Sequence, residues 1–337
     1  MIRLLEIEST MKKSDIEIVK ELAQKVAEEG GRLLLKGSTV REELLKVPVT
    51  KYICAAYGLS SKKLKHIRYI LKEELEYFNG GVYPAPGTYE DTCGKQDFTI
   101  NAVLKDPLTE EYIDPFLGIQ DIDLRTLRLV DKEHFKEFPL SVIELVRLSS
   151  TLNFEIEDST YNLAKDANLS DLNKSLVWQK VSDLLLNSEF PSVGFLDMYN
   201  LSVLRKVLDF QPYFLIEGIC NGLDYVKAVR NITEEERIIL LVSCLASVNY
   251  ERERQKTLTN LGVPDRIKEQ VNTILRNYMS FTSSYATSEL HRSDEALKAI
   301  SEKASLRLVL IFVRGMYGET DILKEIETRA RILGIYG

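Results

Sequence analysis

Cysteine, histidine and tryptophan are scarce in this chain of 337 residues, which has four, three and one of them, respectively. The cysteines lie far apart in the sequence: they are Cys54, Cys93, Cys220 and Cys244. Their spacing matches neither a zinc site nor the disulfide framework of a small secreted protein. We therefore expect free thiols that act as buried packing groups, in a reducing compartment, the cytoplasm.

Long apolar runs are also missing. The longest, at 238–248, is far too short for the ~30 Å of hydrocarbon in a bilayer. The first ten residues, "MIRLLEIEST", contain acids and do not resemble a signal peptide. We therefore expect no membrane partner. The net charge of −7 excludes a wholly basic nucleic-acid binder, although it is compatible with a local basic groove.

The composition is that of an ordinary globular protein, with 45% hydrophobic and 28% charged residues, and the length allows two or three domains. Helix and strand patterns alternate in the first 130 residues. They predict a capped helix from Ser14 to Gly30, a strand at 32–36, a turn at Gly37-Ser38, a helix at 39–46 and a strand at 51–57. Further on they predict a helix at 60–78, a loop at 79–94, a helix start that runs into a strand at 97–106, a hairpin, and a strand at 126–130.

Strand patterns become rare after residue 131, and helical spacing dominates to the end of the chain. Among the predicted helices are 234–248, 264–279, 293–303 and 305–316. We therefore predict an α+β protein with a small α/β head at 1–130, an all-α neck at 131–210 and a helical body or tail at 211–337.

The most informative stretch is "KQDFTINAVLKDPLTEEYIDPFLGIQDI" at 95–122. Together with "GSTVREELL" at 37–45, "YGLSSKKL" at 57–64 and the segment 127–157, it strongly resembles the tRNA nucleotidyltransferase and poly(A) polymerase family, which includes the CCA-adding enzymes. The resemblance implies a nucleotidyltransferase-like head. It also implies a nucleotide-binding site, vestigial in this chain, at Gly37, Ser38, Arg41, Asp97 and Asn101.

The chain departs from the family at the metal-binding acids. Two acids one residue apart on a strand point to the same face and hold the two metal ions of phosphoryl transfer. The resemblance places them at Lys51 and Ile53, which offer no oxygen ligand for Mg²⁺. We therefore predict no catalytic residue, no metal ligand and no cofactor at these positions.

Base recognition also departs from the family pattern. The resemblance places the residues that read the incoming base at Glu137, Phe138 and Ser141. Phe138 has no hydrogen-bonding group and Ser141 lacks the fork of an arginine, so these base-recognition positions are degenerate. A further family arginine corresponds to Glu144, whereas Arg147 is retained.

The tail resembles the HD-type phosphohydrolase domain of some family members, in vestigial form. Its metal-binding positions correspond to Leu245, Ala246 and Tyr278. The chain's three histidines, His66, His134 and His291, cannot be arranged into the HD-type pattern.

Several residues allow two interpretations. Asp121 and Asp123 in "QDIDLR" form an acid pair, but a solvated turn is favoured over catalysis. Arg41 can meet a phosphate or pair with Glu42. Asp97 and Asn101 can flank a nucleotide or brace a helix. Two further features also have two interpretations: a basic cluster at 62–68 is either an RNA contact or a solvated helix face, and Trp178 is either a base-stacking or a core residue.

The losses at three places predict a catalytically inactive family member that binds tRNA or another RNA, a nucleotide, or a protein partner such as an active homologue. The alternative is an active tRNA 3′-end CCA or poly(A) nucleotidyltransferase that uses Mg²⁺ and displaced acids. The candidate acids are Glu42, Glu43, Glu90 and Asp91.

Overall fold

A five-stranded sheet with surrounding helices forms the first part of the chain, Met1–Phe135, and helices dominate the second part, Lys136–Gly337. The computed structural model describes residues 13–209, 216–247, 251–282 and 293–337. The predicted α+β class with a helical body is confirmed. The three domain ranges stay predictions, and the first ten residues and His291 lie outside the described residues.

The first part alternates short helices and strands. Its helices are α1 (Asp15–Glu28), α2 (Ser38–Leu44), α3 (Ser61–Ile70), α4 (Lys72–Glu76), α5 (Tyr89–Gly94), α6 (Gly118–Asp123) and α7 (Lys132–Glu137), with a 3₁₀ turn at Thr99–Asn101. Its strands are β1 (Arg32–Lys36), β2 (Tyr52–Tyr57), β3 (Gly80–Pro84), β4 (Leu104–Lys105), β5 (Tyr112–Ile113) and β6 (Thr126–Leu127).

The sheet has the strand order β3-β2-β1-β4-β5. All neighbouring pairs are antiparallel except β2 and β3, which are parallel and joined through α3 and α4. The central strand β1 is apolar on both faces because both are covered. Leu33 and Leu35 pack with α1 and α3, whereas Leu34 faces the other side with Ala55 and Tyr57.

Helix α1 begins and ends where the sequence predicts. The backbone N–H of Ser14 donates a hydrogen bond of 2.7 Å to the Glu17 carboxylate, which satisfies a free donor at the helix start. Ile18, Leu22 and Val26 are buried on the face toward the sheet. Since these side chains recur at helical spacing, their burial holds α1 against β1 and β2.

Three predictions for this region are wrong in part. The segment 79–94 is not a loop, since it contains β3 and α5. The helix predicted at 60–78 is interrupted at Leu71, between α3 and α4. The "QDIDLR" segment lies largely in α6, where Asp121 is buried and accepts a 2.7 Å hydrogen bond from the Thr99 hydroxyl. The prediction of a solvated turn is therefore wrong for Asp121, which is buried and hydrogen-bonded, whereas Asp123 is exposed.

The second part is a set of helices with one short strand, β7 (Glu155–Ile156). The described helices are α8 (Leu140–Leu152), α9 (Asp158–Asp166), α10 (Lys174–Asn187), α11 (Pro191–Asn200), α12 (Val203–Leu208), α13 (Ile216–Ala228), α14 (Glu234–Ala246), α15 (Glu251–Asn260), α16 (Asp265–Asn277), α17 (Met279–Thr282), α18 (Asp294–Ser301), α19 (Leu306–Tyr317) and α20 (Asp321–Ile332).

The core of this second part is made by helices that are apolar on most of their surface. Every residue of α14 from Ile238 to Ala246 is buried, which confirms a buried helix at the longest apolar run. The helices predicted at 264–279, 293–303 and 305–316 correspond to α16, α18 and α19. None of the helices in the described ranges combines the length and apolar character that a membrane crossing requires.

The thiols and the tryptophan lie mostly where the sequence predicts. Cys54, Cys93 and Cys244 are buried and Cys220 is half-buried, all as free thiols. Burial raises the pKa of Cys54 to about 12, so this thiol is an inert packing group. Trp178 is half-buried on α10, which makes it only partly a core residue.

Candidate functional site

A tight turn joins β1 to α2 and is the best-defined feature of the head. Gly37 in this turn has φ 64° and ψ −134°, a backbone conformation that residues with a Cβ adopt only at a high cost. Its carbonyl oxygen accepts a hydrogen bond of 3.2 Å from the Arg41 N–H, so the helix begins directly after the turn. The local geometry therefore requires a glycine at position 37.

Thr39, fully buried in the first turn of α2, connects this turn to the start of β2. Its hydroxyl donates to the Lys51 carbonyl oxygen at 2.9 Å and accepts from the Ile53 N–H at 2.8 Å. One side chain thus fixes the backbone on either side of Tyr52. As a result, the side chains of residues 51 and 53 are held next to the Gly37 turn.

A cavity of about 430 Å³ opens at this place. It is lined by Lys36, Gly37, Ser38, Lys51, Ile53, Tyr83, Gln96 and Asn101. The register, which pairs Leu35 with Cys54, puts Lys36 opposite Ile53 on the same face of the sheet. Five residues singled out in the sequence therefore meet at one cavity, and its volume is in the range of small-molecule sites.

Three lining residues were missed in the sequence. Lys36 is the last residue of β1 and directly precedes Gly37, so the sequence could have predicted its place beside the site. Tyr83 lies on β3, in the segment that we predicted as a loop, and Gln96 follows α5. No local pattern brings Tyr83 to the cavity, because β3 reaches this place only through its pairing with β2.

The cavity is positively charged. Two lysines line it and none of its lining residues carries a carboxylate. Lys51 is exposed and Lys36 is half-buried. Within the described residues, neither ammonium group makes a hydrogen bond or an ion pair. Such a site is suited to an anionic ligand, because phosphate oxygens can accept from both ammonium groups.

Arg41 and Asn101 contact each other. Arg41 is 5% exposed and donates a hydrogen bond from Nη1 to the Asn101 Oδ1, and its Nη2 lies 3.7 Å from the Glu42 carboxylate. Arg41 therefore fixes the asparagine that lines the cavity and is not itself a lining residue. Asp97 is half-buried, with its carboxylate 3.9 Å from Nε2 of His134, and it does not line the cavity either.

The candidate displaced acids are engaged elsewhere or point to solvent. The Glu42 carboxylate accepts from the Thr50 N–H at 2.7 Å and from its hydroxyl at 3.1 Å. Glu43 accepts from Lys105 at 2.9 Å, and Asp91 caps α5 by accepting from the Thr88 N–H at 2.7 Å. Glu90 is exposed.

A protein-held pair of magnesium ions does not fit this lining. The hard oxygen ligands that Mg²⁺ needs are replaced by Lys51 and Ile53 at the expected positions. Among the described residues, no group of three or more His, Cys, Asp or Glu side chains is arranged to hold a metal ion.

The predicted base-recognition positions lie at α7 and α8. Glu137 and Phe138 are exposed, whereas Ser141 is 4% exposed and belongs to the buried face of α8. Ser141 is therefore a packing residue of α8.

The retained Arg147 lies in a charged network between α8 and α10. It donates two hydrogen bonds, of 2.9 and 2.6 Å, to Glu144 and one of 2.7 Å to Asp183. Lys180 donates to the same Glu144 carboxylate at 2.7 Å. Burial alone would raise the pKa of Glu144, but the hydrogen bonds and charges of Arg147 and Lys180 hold it below its usual range.

The tail positions are occupied by packing residues. Leu245 and Ala246 are buried in α14. Tyr278 is stacked with Tyr317 at 6.0 Å between ring centroids and meets the edge of Phe312 at 5.4 Å. The interpretation of this tail as an HD-type remnant stays a prediction.

The basic cluster of α3 is an exposed helix face. Lys62, Lys65, His66 and Arg68 are exposed, and Lys63 makes a salt bridge of 3.0 Å with Glu29. One of the five basic groups is therefore already neutralised, and the others are accessible to solvent or to a polyanion.

Sequence comparisons match the chain to tRNA-processing enzymes, although no protein-family model matches it. A "Multifunctional CCA protein" of Nitrosomonas europaea is 26% identical over an alignment of 201 residues that covers 51% of this chain and 48% of that protein. An "A-adding tRNA nucleotidyltransferase" of Aquifex aeolicus is 25% identical over an alignment of 255 residues that covers 67% of this chain and 29% of that protein. The chain thus spans about half or less of the length of these curated relatives.

Structural comparisons match nearly the whole chain. The Thermotoga maritima CCA-adding enzyme complexed with tRNA has a TM-score of 0.74 at 14% identity, over 95% of this chain and 82% of that one. The Bacillus stearothermophilus CCA-adding enzyme in complex with CTP has a TM-score of 0.71 at 18% identity, over 96% of this chain and 84% of that one. At these identities the likeness shows that the fold is shared.

These comparisons correct the main functional prediction. We predicted a catalytically inactive family member from the substitutions at residues 51, 53 and 137–141. The relatives and the structural neighbours are CCA-adding and A-adding transferases, and nothing in them supports an inactive form. The prediction was wrong because it judged activity from a few aligned positions, whereas the sequence similarity to these transferases extends over half to two thirds of the chain.

Proposed function

We propose that the chain is a member of the tRNA nucleotidyltransferase and poly(A) polymerase family and that it adds nucleotides from CTP or ATP to the 3′ end of tRNA. The observation that carries the proposal is the whole-chain match to CCA-adding enzymes, combined with a cavity at the Gly37 turn of the head. One of the matched enzymes is complexed with tRNA and another with CTP.

The proposed reaction takes place at the α-phosphorus of the nucleotide. The 3′ oxygen of the tRNA bonds to this phosphorus, the bond from the phosphorus to the leaving group breaks, and pyrophosphate is released. The proton of the 3′ hydroxyl passes to water. Such reactions depend mainly on positioning and on neutralisation of charge.

The residues of the cavity have separate tasks in this proposal. The Gly37 turn lets the backbone approach the phosphates, since no Cβ stands in the way. Lys36 and Lys51 offset the negative charge of the triphosphate. Asn101, which Arg41 fixes in place, offers an amide that can orient the nucleotide. Since a magnesium pair does not fit the lining, we assign no step to it.

The direct test is tRNA extension. The full chain is incubated with tRNA that lacks its 3′-terminal nucleotides, together with labelled CTP and ATP, and the products are separated by length. We expect stepwise addition to the 3′ end. A complete lack of addition would contradict the proposal if an established CCA-adding enzyme extends the same tRNA in parallel.

A variant pair tests whether the Gly37 turn is the site. We expect Gly37→Ala to reduce the extension rate by about ten-fold or more, because a small displacement of reacting groups is enough for such a loss. It should also destabilise the protein by about 1–3 kcal/mol through backbone strain. Gly94→Ala is the matched control, since an added Cβ in α5 would lie 3.7 Å from Phe116, an ordinary contact. Normal extension by a folded Gly37→Ala variant would place the reaction elsewhere.

A further inference from the structure

We propose that the head cavity binds the phosphate groups of its nucleotide directly through Lys36 and Lys51, without a divalent cation held between protein and phosphates. This inference rests on the proposed function, because it names how the same site takes its substrate. It follows from a disagreement: the family resemblance implies two metal-binding acids, whereas the cavity carries Lys51 and Ile53 at those positions and has Lys36 as a second lining cation.

The first argument is that some basic side chains on or next to the sheet have an acidic partner and others do not. Arg32 pairs with Asp106 at 2.7 Å, and Lys105 pairs with Glu43 at 2.9 Å. Lys36 and Lys51 differ, since no hydrogen bond or ion pair to the described part of the chain engages their ammonium groups. Two neighbouring cations without a counter-charge, one of them half-buried, leave a charge that a bound anion would neutralise.

The second argument is the repulsion that a metal ion would meet. Two unit charges ~4 Å apart interact by about 4 kcal/mol at an effective dielectric constant of 20, and a divalent ion near one ammonium group would feel roughly twice that. No lining carboxylate offsets this repulsion. The acids that follow the Gly37 turn in the sequence do not offset it either. Glu42 accepts a hydrogen bond from Thr50, and Glu43 accepts one from Lys105.

The third argument is the match between the cavity and a polyphosphate. An ammonium group is a compact point charge with three donors, and it binds phosphate oxygens without a metal. Gln96 and Asn101 add neutral amides to the lining, and Ser38 adds a hydroxyl. The volume of about 430 Å³ is sufficient for a small ligand. Charge, donors and space therefore all suit a triphosphate that enters with monovalent counterions.

The test is a binding measurement on the full chain with excess EDTA and with Mg²⁺. Isothermal titration with CTP, ATP and inorganic tripolyphosphate gives the affinities. We expect binding of all three in EDTA, and no requirement for Mg²⁺. Lys36→Gln and Lys51→Gln should each weaken binding in EDTA by about ten-fold or more, as expected for the loss of a charged hydrogen bond. Competition between tripolyphosphate and CTP on the unaltered protein gives the same information without a variant.

Two further variants sharpen the test. Lys20→Gln removes an exposed lysine of α1 outside the cavity lining and should leave binding unchanged. Lys51→Asp should abolish binding in EDTA and make any remaining affinity depend on Mg²⁺. Binding that occurs only with Mg²⁺ and disappears in EDTA would overturn the inference, as would unchanged binding by a folded Lys36→Gln, Lys51→Gln double variant.

The outcomes separate this inference from the proposed function. Extension of tRNA combined with Mg²⁺-dependent nucleotide binding would overturn the metal-free site and leave the proposed function standing. Metal-free binding of CTP without any extension would support the site and contradict the proposed function.

Discussion

At the scale of single residues, the head site depends on how one hydroxyl and one glycine set the backbone. The Thr39 hydroxyl both accepts and donates, so it ties the Ile53 N–H and the Lys51 carbonyl to α2 at once. The side chains at 51 and 53 face the cavity as a consequence. The geometry of this frame is therefore independent of which side chains those two positions carry, which explains how a lysine and an isoleucine occupy it without loss of the fold.

We expect Thr39→Val to lower the free energy of unfolding by about 1–3 kcal/mol, because the nearly isosteric side chain leaves a buried N–H without its acceptor. Binding of CTP should weaken as well, since the segment 51–53 loses its anchor. Urea unfolding and titration with CTP measure the two effects. Thr39→Ser keeps the hydroxyl and should lie close to the unaltered protein; a larger loss in Thr39→Ser than in Thr39→Val would show that the methyl group, and not the hydroxyl, matters.

At the scale of elements, the charged network of Glu144, Arg147, Lys180 and Asp183 joins α8 to α10. The family resemblance places a second arginine at 144, and this chain has an acid there. The acid neutralises the retained Arg147, whose side chain is 18% exposed. An arginine that is engaged in this way serves the packing of its two helices, and its guanidinium is not directed to a ligand.

We expect Glu144→Gln to destabilise the protein by about 3 kcal/mol at neutral pH, because it leaves Arg147 partly buried without its main partner. The pKa of Glu144 is lowered in the folded state, so its contribution to stability is present above its unfolded pKa and is lost as the pH falls through its folded pKa. Thermal melts from neutral to acidic pH should therefore converge for the two proteins. Glu189→Gln, an exposed position, serves as control; a constant difference down to low pH would contradict the assignment.

The elements also show where sequence reasoning succeeds and where it stops. Strong local signals, such as the capped α1, the apolar β1 and the buried α14, were predicted with nearly correct bounds. Strand β3 was missed because Gly80, Gly81 and Pro84 have no strand preference of their own. They form a strand because pairing with β2 satisfies their backbone, which is a contact between distant parts of the sequence.

The candidate site shows the same contrast between local features, which the sequence predicts, and long-range contacts, which it does not. The frame that carries Lys51 and Ile53 was readable because the Gly37 turn and the strand after α2 are local features. The role of Asp121 was misjudged because its partner, Thr99, is 22 residues away. From the sequence alone, Asp121 resembles a turn residue, because its hydrogen bond to the Thr99 hydroxyl depends on the tertiary fold.

At the scale of the whole molecule, the chain consists of two compact units that meet in the sequence at residues 135 and 136. Each has buried residues of its own: the first has the two faces of the sheet, and the second has a helical core that includes Phe195, Leu241 and Phe312. A core within each unit is the property expected of segments that can fold separately.

We expect the fragment 138–337, which begins after α7, to fold without the head. Far-UV circular dichroism should show a helical spectrum, and heating should give one cooperative transition. The fragment should not bind CTP, since the proposed cavity lies in the missing part. A gradual melt would contradict an independent core. The full chain, measured in the same buffer, provides the reference.

The strand order of the head has a consequence for how the protein is made. All five strands of the main sheet, from Arg32 to Ile113, precede the helical second part, which begins at Lys136. Since a ribosome delivers a chain from its N-terminus and domains fold as units during synthesis, every partner in this sheet has emerged while most of the helical part is still untranslated. The pairing that forms the Gly37 cavity therefore needs no residue from the later part of the chain, and the sheet can form before the helical part is translated.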